Sequence, residues 1–131
     1  MVNLLVVLMA NSKTNPLKDK TFNFALRIVK VYKYLCIEQK EFVLSKQLLR
    51  SGTAIGALQR ESEYAESKPD FIHKLGIAQK ECNETLYWLE LLFGSEYITN
   101  DMYISLKSDA EELLKMLTSS IKTAKSNLKK H

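Results

Sequence analysis

The sequence predicts an all-α protein, an antiparallel up-down-up-down four-helix bundle. Three observations predict it. Apolar residues recur every three or four positions through four separate segments. The 131 residues hold only 4 Gly and 2 Pro, too few turn formers for a sheet protein, and Leu, Lys, Glu, Ala and Ser dominate instead. Short polar stretches with cap and stop residues part the segments, which suits antiparallel neighbours. The length fits one domain. We expect the bundle over 18–128, a loosely ordered leader over 1–17 and a basic C-terminal tail at 129–131.

The leader carries an apolar run, Leu4 to Ala10, with no basic residue ahead of it, so it does not read as an export signal. It is also far shorter than the roughly 20 apolar residues of a membrane span. The start at Met1 reads as an upstream mis-start. Asn11 to Lys20, with Pro16, reads as a linker.

The first helix is expected over 21–38, with Thr21 as its cap. It bears two apolar stripes. One is Phe22, Ala25, Leu26, Val29, Tyr32 and Cys36; the other is Phe24, Ile28, Val31 and Leu35. Two stripes call for partners on two sides, a bundle interior and a subunit contact. The second helix is expected over 43–65, with Leu44, Leu48, Ile55 and Leu58 as its large apolar members. Gly52 and Gly56 lie among small residues there, which predicts a close approach of a neighbouring helix, since glycine costs about 1 kcal/mol against alanine within a helix. Ser67-Lys68-Pro69-Asp70 starts the third helix, and Phe71, Leu75, Ala78, Cys82, Leu86, Leu89 and Phe93 form its stripe before Gly94-Ser95 stops it. The fourth helix is expected from Thr99, with Met102, Leu106, Leu113, Leu117, Ile121 and Leu128 inward.

Little in the chain resembles catalytic machinery, and the reading is of a non-enzyme without cofactor or metal. His73 and His131 are the only histidines. Asp70 and His73 repeat half of the carboxylate-x-x-His device of di-iron bundles, but a second internal histidine is missing. Cys36 and Cys82 fall on apolar stripes, with no metal or disulfide spacing, and read as core thiols of a cytoplasmic protein. The sequence contains no phosphate loop and no nucleophile elbow.

Charge is the remaining signal. The formal net charge is +4. Residues 18–50 carry eight Lys/Arg against three Asp/Glu, residues 51–116 six against twelve, and residues 117–131 four Lys and no acid. An up-down bundle gathers Lys18, Lys20, Arg60, Lys68, Lys74, Lys122, Lys125, Lys129 and Lys130 at one end, together with Glu61, Glu63, Glu66 and Asp70. The other end receives Glu38, Glu41, Glu90, Glu96 and Asp101, with Lys40 and Lys46. One end should therefore be positive and the other slightly negative. Arg27, Lys30 and Lys33 add charge along the first helix. Such a surface can hold phosphates in a salt-dependent way.

Three stretches carry a resemblance. They are Phe24-Ala-Leu-Arg-Ile-Val-Lys30, the run from Leu44 through Arg50-Ser51-Gly52 to Gly56-Ala57, and Ser67-Lys-Pro-Asp-Phe-Ile-His-Lys-Leu with Lys80-Glu-Cys-Asn-Glu-Thr and Leu86-Tyr-Trp-Leu-Glu-Leu-Leu92. Together, over about Lys18 to Lys125, they resemble the bacterial 23S rRNA intervening-sequence proteins. The resemblance implies a four-helix bundle assembling into rings, with a pentamer the expected form. Some members are encoded inside insertions of the large ribosomal RNA. A related branch, the accessory protein of diversity-generating retroelements, looks like a basic barrel that binds nucleic acid and a reverse transcriptase. Arg50, Ser51 and Gly52 match the family's Arg-Ser-Gly element and Gly56 its second glycine. Leu58 and Gln59 depart from it, standing where the family often has Asn and an apolar residue.

These readings converge on a homo-oligomer that binds RNA or DNA through Lys18, Lys20, Arg27, Lys30, Arg50, Arg60, Lys68, Lys74, Lys122, Lys125, Lys129 and Lys130, with a reverse transcriptase as one conceivable protein partner and no membrane. The alternative is a protein-interaction scaffold that uses Tyr87, Trp88 and Tyr97 and binds no nucleic acid.

Overall fold

The computed structural model describes residues 15–129. It holds four helices: α1 (Pro16–Ile37), α2 (Leu44–Ser62), α3 (Lys68–Gly94) and α4 (Asn100–Lys129). Residues 1–14, most of the expected leader, and Lys130 and His131 of the tail lie outside the described residues.

The first helix begins five residues earlier than the sequence reading placed it. Asn15 is its cap, the side chain accepting from the Lys18 N–H at 3.1 Å, and Pro16 takes the first turn, where its missing N–H costs nothing. From Asn15 on, the segment read as a linker is thus a helix start. Thr21, expected as the cap, is buried, and its hydroxyl donates to the Lys18 carbonyl at 3.0 Å.

The second helix is capped from outside. Glu41 is only 8% exposed, and its carboxylate accepts from the N–H groups of Val43 (3.0 Å), Leu44 (2.8 Å) and Ser45 (2.6 Å). Burial alone would raise its pKa, but these backbone donors and the Ser45 hydroxyl hold the carboxyl below its usual range. At its far end α2 stops at Ser62, short of the expected Ala65, in tight turns such as Tyr64 N–H to Glu61 O. Ser67 caps α3 as expected, accepting from Asp70 N–H at 3.2 Å, and Thr99 caps α4 by accepting from Met102 N–H. The end of α3 closes with Tyr97 N–H on Leu92 O and Glu96 N–H on Phe93 O, with Glu96 in the left-handed region at φ 68°. The residue that turns the chain is Glu96, two positions past Gly94.

Neighbouring helices run antiparallel. Lys18 reaches Glu63, Ser51 meets Thr85, Cys82 meets Ala110, and Lys20 reaches Glu112. The seams α1/α2, α2/α3 and α3/α4 are close; α1 and α4 meet most sparsely. One core runs through the bundle, built on Phe24, Ile28, Leu35, Leu48, Ile55, Leu75, Leu89, Leu106, Leu113 and Leu117.

Of the two stripes on α1, the one with Phe24, Ile28, Val31 and Leu35 is core. The other lies outside it: Leu26 is exposed, and Phe22, Ala25, Val29, Tyr32 and Cys36 are half-buried. The stripe of α3 is rotated from its expected line. Thr85 and Leu92 are buried, while Leu86 and Phe93 pack only partly. In α4, Ala110 and Ala124 are core, and Leu128 is exposed.

Gly52 sits where the sequence demanded closeness. A Cβ there would stand 2.8 Å from Ile28 Cγ1. At Gly56 it would meet the Thr21 backbone at 3.4 Å. Beside them Ser51 and Thr85, both fully buried, share a 2.9 Å hydrogen bond between α2 and α3.

Candidate nucleic-acid interface

The cations expected to bind nucleic acid divide into three groups. The first is answered within the chain. Lys18 pairs with Glu63 at 3.5 Å and Lys74 with Glu61 at 3.6 Å. Lys20 pairs with Glu112, and Arg27 with Asp109, closing the α1/α4 seam. Arg50 holds Glu81 at 3.2 Å and also Glu84, clamping α2 to α3. The Glu84 hydrogen bond and the charge of Glu81 raise the pKa of this guanidinium. The second group lies over aromatic rings: Arg60 is 5.3 Å from the Phe22 ring centre, and Lys68 is 5.7 Å from that of Phe71.

The third group makes no ion pair among the described residues. On α4, Lys122, Lys125 and Lys129 are exposed and without a carboxylate partner, and Lys115 joins them. Lys115, Lys122 and Lys129 are spaced by seven, so they share one helix face away from the line Leu113, Leu117, Ile121, and Lys125 flanks that face on the side toward Ile121. From Lys115 to Lys129 that face spans about 21 Å, at 1.5 Å per residue. No acidic residue lies between them. Lys30 is likewise unpaired but stands apart on α1. Lys130 lies outside the described residues.

The lysine face borders a shallow trough. One stretch of about 430 Å³ is lined by Leu114, Lys115, Thr118, Ser119 and Lys122. Another of about 320 Å³ includes Lys68, Ser119, Ser120, Thr123 and Asn127. Ser119 belongs to both, so hydroxyl and amide groups floor a continuous strip with lysines along it. Such a floor can donate to phosphate oxygens while the lysines supply charge. The fold therefore puts Lys115 and Lys122 on one stretch of the trough and Lys68 on the next, with Lys125 and Lys129 outside both linings, while Lys18, Lys20, Arg27, Arg50 and Lys74 are engaged in ion pairs within the bundle. Lys115 was missed by the sequence reading. Its signal was the seven-residue spacing to Lys122 and Lys129.

The family model for the 23S rRNA-intervening sequence protein matches residues 13–119. The chain belongs to this family. Among solved structures, this family member is similar to a protein of unknown function from the S23 ribosomal protein family of Bacteroides thetaiotaomicron VPI-5482. The two share 60% identity and a TM-score of 0.80, covering 81% of this chain and 98% of the other. No curated protein matches it.

Candidate catalytic groups stay dispersed in this member. His73 is exposed, and no cluster of three metal-ligating side chains occurs among the described residues. Cys82 is buried, its thiol donating to the Ala110 carbonyl at 3.2 Å, and burial pushes its pKa up to about 11. Cys36 is half-buried, 3.8 Å from the Ser45 hydroxyl. Its hydrogen bond with Tyr32 raises the pKa of that phenol. No helix among the described residues is long and apolar enough to cross a membrane.

Proposed function

We propose that this chain is a non-enzymatic, homo-oligomeric bundle protein that binds the phosphate backbone of RNA or DNA through the outer face of α4. One observation carries the reading. The lysines of α4 from Lys115 to Lys129 are unpaired among the described residues and share one face, and two of them, Lys115 and Lys122, border a strip of hydroxyl and amide groups. Cations already held by carboxylates would have to give up those pairs to reach a phosphate; these would not. Binding of this kind positions a nucleic acid without reading its bases.

The test is binding to structured RNA and to duplex DNA across a salt series, with Lys115, Lys122, Lys125 and Lys129 replaced together by Gln. The wild-type affinity should fall steeply with salt. For duplex DNA, the four-fold variant should lose about 3 to 4 units of the log–log salt slope, roughly 0.9 for each phosphate contact. A Lys46→Gln variant, on α2 and off this face, should bind as wild type. If the wild-type chain binds neither ligand at low salt, a protein partner becomes the better reading.

A further inference from the structure

Beside the trough on α4 the bundle holds a cleft of about 360 Å³ to which all four helices contribute. Leu17, Leu75, Phe71 and Met116 make its walls largely apolar. Gln59 lines it too, although it is only 3% exposed. The amide of Gln59 is poorly satisfied. Its Nε2 donates to Glu63 Oε1 at a long 3.4 Å, and its Oε1 is buried with no partner among the described residues. Buried amide oxygens are seldom left so, because losing water without gaining a donor is costly. The other polar group on the wall, the Glu63 carboxylate, is already answered by Asn15 at 3.1 Å and Lys18 at 3.5 Å.

The cleft is continuous with the trough. Phe71, Ser119 and Ser120 line both the cleft and the stretch that holds Lys68, and Ser119 also lines the stretch with Lys115 and Lys122. Lys68 lies 5.7 Å from the Phe71 ring centre and makes no ion pair among the described residues. A cation free to meet a phosphate thus stands beside an apolar cleft that contains an unanswered acceptor.

We propose that the cleft receives one unpaired aminopurine base, such as adenine, from a single strand bound on α4, with Gln59 reading its amino edge. This rests on the phosphate-binding reading above and goes beyond it, because phosphate contacts carry no sequence information. A base is a flat, mainly apolar body with donors and acceptors on its edge, which suits apolar walls with one amide among them. The volume falls within the range of ordinary small-ligand sites. A carboxamide offers an acceptor and a donor side by side, and adenine answers both: its N6 amino group donates to Oε1, and its N7 accepts from Nε2. The last torsion of a glutamine is broad, so the amide can turn its oxygen into the cleft. Phe71 supplies the aromatic contact on which splayed-out bases stack, and Lys68 meets the adjoining phosphate. A base held in a duplex cannot enter.

The test uses the full chain and short RNA strands of uridine that carry, at one internal position, adenine, unsubstituted purine or an abasic sugar. By fluorescence anisotropy the adenine strand should bind about tenfold more tightly than the abasic one, with unsubstituted purine between them. Gln59→Met, close in size but without the amide, should bring adenine down to the level of unsubstituted purine and leave the salt dependence unchanged. Circular dichroism checks that this variant folds. Methyl NMR of the wild-type chain gives a second readout that needs no variant: the adenine strand should shift the Met116 methyl and leave Met102, which is outside the cleft lining, unmoved. Equal affinity for adenine and unsubstituted purine, a still Met116 methyl, or a folded Gln59→Met chain that keeps the adenine preference overturns the base site while the phosphate reading stands. No binding to any strand at low salt overturns the phosphate reading, and this site with it.

Discussion

A Cβ at Gly52 would press on a fully buried, β-branched side chain, Ile28, which has no free end to swing away. Gly76, also within a helix, has nothing within 4 Å of that position. Gly52→Ala should therefore destabilise by about 1–3 kcal/mol, the usual cost of overpacking. Gly76→Ala should stabilise by about 1 kcal/mol through helix propensity. Thermal or urea unfolding of the two variants measures both signs at once. Glu41 gives a second prediction at this scale. Its folded pKa lies below the ordinary 4.5, so the unfolded chain binds more protons in acid. The stability this adds is present above pH 4.5 and fades as pH falls through the lower, folded value. Glu41→Gln should cost about 1 kcal/mol near neutral pH, as lost caps do. Urea titrations at several pH values should show a smaller loss on acidification than in wild type.

Element boundaries followed cap chemistry more faithfully than apolar spacing. At the end of α3 the left-handed position falls on Glu96, where a side chain is strained. Glu96→Gly should raise stability by up to about 1 kcal/mol, read as a higher unfolding midpoint. The four helices, the Ser67 cap, the start of α4 near Thr99 and the closeness at Gly52 and Gly56 were legible because each rests on short-range chemistry. The start of α1 was misjudged because Asn15-Pro16, itself a cap and first turn, was taken for a break. The inward line of α3 was misjudged because Thr85 is polar. It is buried because Ser51 stands opposite it, a tertiary pairing that no spacing rule reveals. The candidate site was partly legible for a similar reason. Sequence located the lysines but not the carboxylates that occupy several of them, since Glu81, Glu84, Asp109 and Glu112 arrive from other helices.

Taken whole, the molecule carries unpaired positive charge along the outer side of α4 and exposed apolar side chains such as Leu26 and Ile37 on α1 and Tyr87 on α3. The seam between α1 and α4 differs from the other three. Arg27 reaches across it to Ser105 and Asp109, 78 and 82 residues away in sequence, and Lys20 reaches Glu112 at a separation of 92. Every other seam joins helices consecutive in the chain. Contacts between consecutive helices keep contact order low, which favours fast folding. The order of assembly follows. The first three helices can dock as they leave the ribosome, each on the one before it, and the ionic closure onto α1 has to wait until α4 has been made.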